Sequence, residues 1–234
     1  MVYSPAPVLA AERELKYGLL AARADIARRL LERYCQRDPA FPAAVVWTMY
    51  YDTPGLLSLG EKINSDYLKQ KIRVRWYSGL DGQPAGPSFV EAKLRVGNRR
   101  MKVRASLPYS AEELALWDLQ DPRLLQLPLS LRENGIDLRD SWHPILLLRY
   151  RRDRFIEPIS RSRVSLVADI AATAVKPRYV SAADYSPLGS AVLEVKGPAD
   201  ELPLALRGLL HLGARKCSFS KYLAVYSHMT RHPS

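Results

Sequence analysis

Lys71-Ile72-Arg73-Val74-Arg75-Trp76-Tyr77 alternates cationic and apolar side chains, and a period of two is the signature of a β-strand. Lys71, Arg73 and Arg75 therefore share one face, while Ile72, Val74 and Trp76 share the other. Three like charges on one strand face repel one another and pack poorly. From this strand alone a solvated outer face is the simpler reading. The pattern recurs along the chain, several times with carboxylates included, and the recurrence shifts the balance toward a binding face.

Glu12, Glu14 and Lys16 fall on one face of an alternating stretch that ends at Tyr17. Two adjacent carboxylates beside an ammonium can hold a hard divalent cation. From Phe89 to Val96, Glu91, Lys93 and Arg95 oppose Val90, Ala92, Leu94 and Val96; Gly97-Asn98 reads as a hairpin turn, after which Lys102 and Arg104 alternate with Met101 and Val103. Ile145 to Ile156 puts Tyr150, Arg152 and Arg154 on one face, with Arg149 and Arg151 on the other. Arg161, Arg163 and Ser165 oppose Val164 and Leu166 in a strand ending near Asp169. Val192, Glu194 and Lys196 share a face that stops at Gly197-Pro198. Val45 to Tyr51 is β-branched and aromatic and stops at the turn Asp52-Thr53-Pro54-Gly55.

Between these strands lie helical patterns. Ala21 to Cys35 spaces Ile26, Leu30, Leu31 and Tyr34 among arginines, an amphipathic helix suited to packing on a sheet. Ser110 to Leu131 predicts one or two short helices broken by Pro122 and Pro128. Pro203 to Leu212 predicts an amphipathic helix, and a short helix follows Ser218-Phe219-Ser220-Lys221-Tyr222. About eight strands, mostly in antiparallel hairpin order with helices inserted, give an α+β fold: an antiparallel β-barrel or tunnel that closes or nearly closes, with flanking helices, read as one domain over residues 1–234. If the apolar faces turn outward beneath the helices, the charged faces line a lumen. A lumen with both cations and carboxylates suits a long polyanion with a metal ion.

The charge balance agrees. Of 234 residues, 35 are Lys or Arg and 24 are Asp or Glu, a net +11, so an anionic partner is expected; nucleic acid, an anionic membrane and polyphosphates all qualify. The aromatic residues fall mostly on the opposite strand faces or in turns, which argues against RNA, where exposed rings interleave with cations. No stretch approaches the roughly 20 apolar residues of a membrane span. Cys35 and Cys217 show no metal or redox spacing and point to reduced thiols, hence a cytoplasmic protein. His143, His211, His228 and His232 have no partner at ligand spacing.

These residues together resemble the triphosphate tunnel metalloenzyme superfamily (CYTH-like), and within it the VTC (vacuolar transporter chaperone) type of polyphosphate polymerase. Glu12-x-Glu14-x-Lys16 is similar to the superfamily's ExExK strand, and Glu14-Leu15-Lys16-Tyr17 to its VTC version. Tyr50-Tyr51-Asp52-Thr53-Pro54 resembles the family's YFDTP turn and Lys71 to Tyr77 its KxRxRxY strand. Glu91-Ala92-Lys93, Tyr150-Arg151-Arg152, Leu193-Glu194-Val195-Lys196 and Ser220-Lys221-Tyr222 follow in family order. One position departs: where the family reads R-x-T/S-L-D, this chain has Arg163-Val164-Ser165-Leu166-Val167, with an acid only at Asp169. Either Asp169 substitutes after a small shift or one lumen carboxylate is missing.

The resemblance implies a tunnel that transfers the γ-phosphoryl group of ATP to a growing inorganic polyphosphate chain. It assigns Arg73, Arg75, Lys93 and Arg152 to clamping phosphate oxygens and Lys16, Lys71, Tyr150, Arg163, Lys196 and Lys221 to the phosphate-binding walls. Glu194, with Glu14 and Glu12, would hold Mg²⁺ or Mn²⁺. ATP and polyphosphate are the implied partners, with no nucleic acid, and the identity of any membrane-protein or regulatory partner is left open. A triphosphatase on the same fold and a non-catalytic polyphosphate or inositol phosphate binder are the competing readings.

Overall fold

The computed structural model describes residues 13–64, 66–97, 99–138, 141–180, 184–198 and 200–230. In chain order it contains β1 (Arg13–Leu20), α1 (Ala24–Tyr34), β2 (Gln36–Arg37), β3 (Ala43–Asp52), α2 (Leu57–Ile63), β4 (Leu68–Ser78), β5 (Pro87–Val96), β6 (Arg99–Ser110) and α3 (Ala111–Ala115). These are followed by a 3-10 segment (Pro122–Asn134), β7 (His143–Ile156), β8 (Arg163–Val175), β9 (Ser190–Gly197), α4 (Gly208–His211), β10 (Arg215–Lys216) and α5 (Lys221–Thr230). The α+β class, with antiparallel strands and flanking helices, is as the sequence predicts. Residues group into two compact units of interleaved segments: 13–42, 153–168 and 189–219, and 43–152, 169–188 and 220–230.

In the first unit the strand order is β10-β1-β9-β8, antiparallel throughout. Alternation sends Leu15, Tyr17 and Leu19 of β1, Leu193 and Val195 of β9 and Val164 and Leu166 of β8 into one core. Ala24, Ala27 and Leu31 of α1 fill the same core, so this helix packs on the sheet and turns Arg29 and Arg33 to solvent. Around it, Asp153 is buried between Arg28 (3.0 Å) and Arg37 (3.6 Å), a paired charge of the kind an interior tolerates.

The second unit orders its strands β7-β3-β4-β5-β6. Ile72, Val74 and Trp76 of β4 join Met49 and Tyr51 of β3 and Val90 and Ala92 of β5 in a core closed by Leu114 of α3 and by Leu124, Leu127 and Leu131 of the 3-10 segment. Tyr51 enters that core without losing its hydroxyl's hydrogen bond, which it donates to the Leu124 carbonyl at 2.9 Å. Trp76 stacks on Trp47 with centroids 6.2 Å apart. Ser110 starts α3 with a capping box, accepting from the Glu113 amide while Glu113 accepts from the Ser110 amide.

Four details differ from the sequence expectation. Among the described residues β6 pairs only with β5 and β10 only with β1, so the backbone ladder is not closed. Pro128 does not break its segment: 3-10 geometry runs from Pro122 to Asn134 with Pro128 inside it. Residues 203–212 form a 3-10 turn (Leu204–Leu206) and the four-residue α4, with Gly208 at the join, instead of one helix. β8 does not end at Asp169 but continues to Val175, passing through Asp169 in a left-handed conformation (φ 55°).

Leu31 is fully buried while Arg29 on the same helix is exposed. Leu31→Ala should lower the unfolding free energy by about 2–5 kcal/mol, whereas Arg29→Ala should change it by less than about 0.5 kcal/mol. Urea midpoints at constant slope measure both; equal midpoints would contradict this packing of α1.

Candidate phosphate-binding site

The register of β3 to β6 arranges the charged face of the second unit in rows. Tyr50, Arg73, Glu91 and Arg104 lie across from one another in one row, and Lys71, Lys93 and Lys102 in the next. Thr48, Arg75 and Phe89 form the row on the other side. A carboxylate in the middle row makes the cations compatible. Glu91 is fully buried; its Oε2 accepts from Arg73 Nε (2.7 Å) and Nη2 (2.6 Å) and lies 3.7 Å from Arg75 Nη1. Its Oε1 accepts from Arg104 Nε (2.8 Å) and Nη2 (2.6 Å) and from Lys102 Nζ (3.1 Å).

Four cations thus share one carboxylate, and positive charge is left over on this face. Burial alone would raise the Glu91 carboxyl, but Arg73, Arg75, Lys102 and Arg104 hold it well below the ordinary carboxylate range. Arg75 is itself buried, hydrogen-bonded to Thr48 Oγ1 (3.2 Å) and Tyr150 Oη (3.1 Å). Burial works against its charge, yet Tyr150 and Glu91 raise its affinity for the proton. Against the burial that raises a phenol, Arg75, Lys221, Arg73 and Arg152 draw Tyr150 down; Arg75, Arg152 and Arg104 do the same to Tyr77.

Aromatic rings hold several of these cations in place. Lys221 Nζ lies 4.9 Å from the Tyr150 ring centroid, Lys71 Nζ 5.7 Å from that of Tyr50, Arg104 4.4 Å from Phe89 and Arg152 5.5 Å from Tyr77. Tyr150 shares the charged face as its alternation with Arg152 predicts, and Tyr50, Tyr77 and Phe89 join it, more rings than the expectation of aromatics mostly on the opposite faces allows. Tyr50 and Tyr150 are each 3% exposed, so their rings are committed to cations and closed to a stacking base. The buried Nε of Arg152 has no hydrogen-bond partner among the described residues, a donor available to an anionic ligand.

The first unit carries its own charged face. Glu14 lies across from Lys196 and Lys196 from Arg163; in the next row Lys16 lies across from Glu194 and Glu194 from Ser165. Lys196 Nζ approaches Glu14 Oε1 to 3.6 Å, and Lys16 Nζ donates to the Phe219 carbonyl at 3.0 Å. Glu14 and Glu194 are diagonal neighbours on this face. Among the described residues no group of three or more His, Cys, Asp or Glu side chains converges as a metal cage. Two carboxylates fit a cation such as Mg²⁺, which is held by one or two carboxylates with water and substrate phosphate completing its shell. Glu12 lies outside the described residues. Val167 is fully buried across from Val192, and Asp169 is exposed.

Arg73, Arg75, Tyr150, Arg152, Lys71 and Lys221 are thus brought together in the second unit, with Lys93 exposed in the row of Lys71. Glu14, Lys16, Arg163, Glu194 and Lys196 share one face of the first. Glu91, Lys102 and Arg104 join the cluster unassigned by the sequence; the alternation of Lys102 and Arg104 in β6 was the available signal. Folding holds the Glu91 proton less tightly than the unfolded chain does, so its stabilisation is complete above the ordinary carboxyl value of 4.5 and shrinks as pH falls below it. Glu91→Gln should cost about 3–5 kcal/mol at neutral pH, by stranding buried arginines, and flatten the loss of stability below pH 4.5. Unfolding midpoints measured across that range check both; a neutral-pH midpoint equal to wild type would contradict the role of Glu91.

Comparison with known proteins follows this geometry. The Hippeastrum protein HpAC1, assigned as an adenylyl cyclase and found to have a dominant triphosphatase activity, shares the fold with a TM-score of 0.53 at 13% identity, over 94% of this chain and 97% of its own. A Bacillus halodurans protein assigned as an adenylate cyclase gives a TM-score of 0.50 at 12% identity, over 91% of this chain and 94% of its own. No curated protein matches the sequence. Residues 12–230, nearly the whole chain, match the VTC domain family. The ordered motifs and this match agree: the chain belongs to the VTC domain family.

Proposed function

We propose that this chain acts as one domain that transfers the γ-phosphoryl group of ATP to the end of inorganic polyphosphate. The observation that supports it most is the Glu91 cluster, in which one carboxylate gathers four cations on one strand face and leaves that face positively charged. Guanidinium groups held on one edge present the other edge to phosphate oxygens in a fixed fork. In the reaction the bond from the γ-phosphorus to the β–γ bridging oxygen breaks, a terminal polyphosphate oxygen bonds to that phosphorus, and ADP leaves. The transition state is loose, so positioning and charge neutralisation carry the catalysis.

Arg73, Arg75, Lys93 and Arg152 are assigned to the γ-phosphoryl oxygens, and Lys71, Tyr150 and Lys221 to the flanking phosphates. Lys16, Arg163 and Lys196 bind further phosphates, and Glu14 and Glu194, with Glu12, are the residues that would hold Mg²⁺ or Mn²⁺. That ion, when bound, neutralises charge on the phosphate oxygens. No protein base is required, because a terminal phosphate oxygen is largely ionised near neutral pH. No helix among the described residues is long and apolar enough to cross a membrane, and the two free cysteines, Cys35 and Cys217, fit a cytoplasmic location. A second reading, polyphosphate binding without turnover, draws on Val167: a buried aliphatic side chain stands where the resemblance leads one to expect a carboxylate.

Purified protein incubated with ATP and Mn²⁺ or Mg²⁺, with products resolved by length, should yield chains longer than triphosphate. ADP with orthophosphate alone would make water the acceptor, and tight polyphosphate binding without turnover would establish the second reading. Arg73→Ala and Arg75→Ala should each reduce turnover by about 10²-fold or more, the effect of losing one preorganised charge-stabilising donor; unchanged rates would overturn the assignment.

A further inference from the structure

Ser220, Lys221 and Tyr222 are consecutive at the start of α5, and their side chains reach three different strands of the second unit. Ser220 Oγ accepts from Lys71 Nζ of β4 at 3.1 Å. Lys221 Nζ sits 4.9 Å from the centroid of Tyr150 on β7. The Tyr222 hydroxyl donates to Asp52 Oδ2 at the end of β3, at 2.9 Å. Tyr222 is 1% exposed and its ring stacks on Tyr50, with centroids 5.1 Å apart and planes inclined by 14°. Lys71 Nζ lies 5.9 Å from the Tyr222 ring as well.

Asp52 is an unusually fixed acceptor. It is fully buried and also accepts the backbone amides of Thr53 (2.8 Å), Ser58 (2.8 Å) and Leu59 (3.0 Å), so it can move only by unravelling the turn and the start of α2. The side chains of Ser220 and Lys221, by contrast, are only partly buried and end in flexible or small groups. Lys221 is the first residue of α5, so the reach of its side chain depends on where the backbone of that helix begins. The buried Tyr222–Asp52 hydrogen bond ties that first turn to the end of β3.

We propose that Tyr222 is a positioning residue for the anion-binding face: its hydroxyl, fixed on Asp52, places Lys221 and the Ser220–Lys71 pair. The proposal deepens the reading of this face as a phosphate site and rests on it. Tyr222 touches no substrate in this role; it acts through its neighbours in sequence. Tyr222→Phe keeps the ring on Tyr50 and removes only the donor, which makes it the selective variant.

The test is titration of tripolyphosphate into the full chain by calorimetry, with melting temperatures recorded in parallel. Tyr222→Phe should weaken binding about tenfold, and the Lys221→Ala/Tyr222→Phe double variant should lose less than the two single losses combined, because coupled residues are not additive. A variant that melts earlier yet binds as tightly as wild type would overturn the proposal, as would a Tyr222→Phe effect that adds in full on top of Lys221→Ala. If Tyr222→Phe does not fold, Asp52→Asn, whose carbonyl keeps the Oδ1 acceptor of the Thr53 and Ser58 amides while its amide group replaces the Oδ2 acceptor of Tyr222, carries the same expectation and the same overturning result. Failure of wild type to bind tripolyphosphate would overturn the phosphate-site reading and this proposal with it, whereas wild-type binding with an unaffected Tyr222→Phe overturns the positioning role alone.

Discussion

Two arginines two residues apart on a buried strand face cannot be accommodated unless something answers their charge, and in this protein Glu91 does. Like charges on one buried strand face repel one another through a medium that screens them less than water does. Glu91, placed across from Arg73 by the β4–β5 register, answers both and reaches Arg104 and Lys102 in the next strand. Because one carboxylate serves four cations, the arrangement is stable without being neutral. The leftover positive field on this face is the feature from which the proposed binding of polyanions is argued.

The first unit treats charge differently. There, Glu14 faces Lys196 and Lys16 faces Glu194, so carboxylate and ammonium alternate across neighbouring strands and balance pairwise. Arg163, across from Lys196, adds a third cation to the two carboxylates and two ammonium groups of this face.

Strands and their faces were legible in the sequence because alternation is a local property: Ile72, Val74 and Trp76 enter the core under α3 and the 3-10 segment as their spacing predicts. The role of Glu91 was not, because it depends on which residues of β4, β5 and β6 lie side by side, and register is set by the assembled sheet. The same holds for Asp52, which reads as a turn residue and is also the acceptor of a hydroxyl 170 positions away. Tyr77, two residues after Arg75, and Phe89, two before Glu91, share the cationic face by the same local alternation. Where local rules did fail, the failures were physical: Pro128 lies inside a 3-10 segment, Gly208 divides a predicted helix, and β8 runs past Asp169 through one left-handed residue.

Where a polyphosphate lies on this protein decides whether the Glu91 cluster is its phosphate site. A crystal structure of the protein with tripolyphosphate and Mn²⁺ tests this most directly, since phosphate density and the anomalous signal of manganese report the two kinds of site independently. Phosphate oxygens within hydrogen-bond distance of Arg73, Arg75 and Arg152, with manganese at Glu14 or Glu194, are the predicted result. Tripolyphosphate bound instead along the exposed arginines of α1, with the Glu91 cluster unengaged, would contradict it.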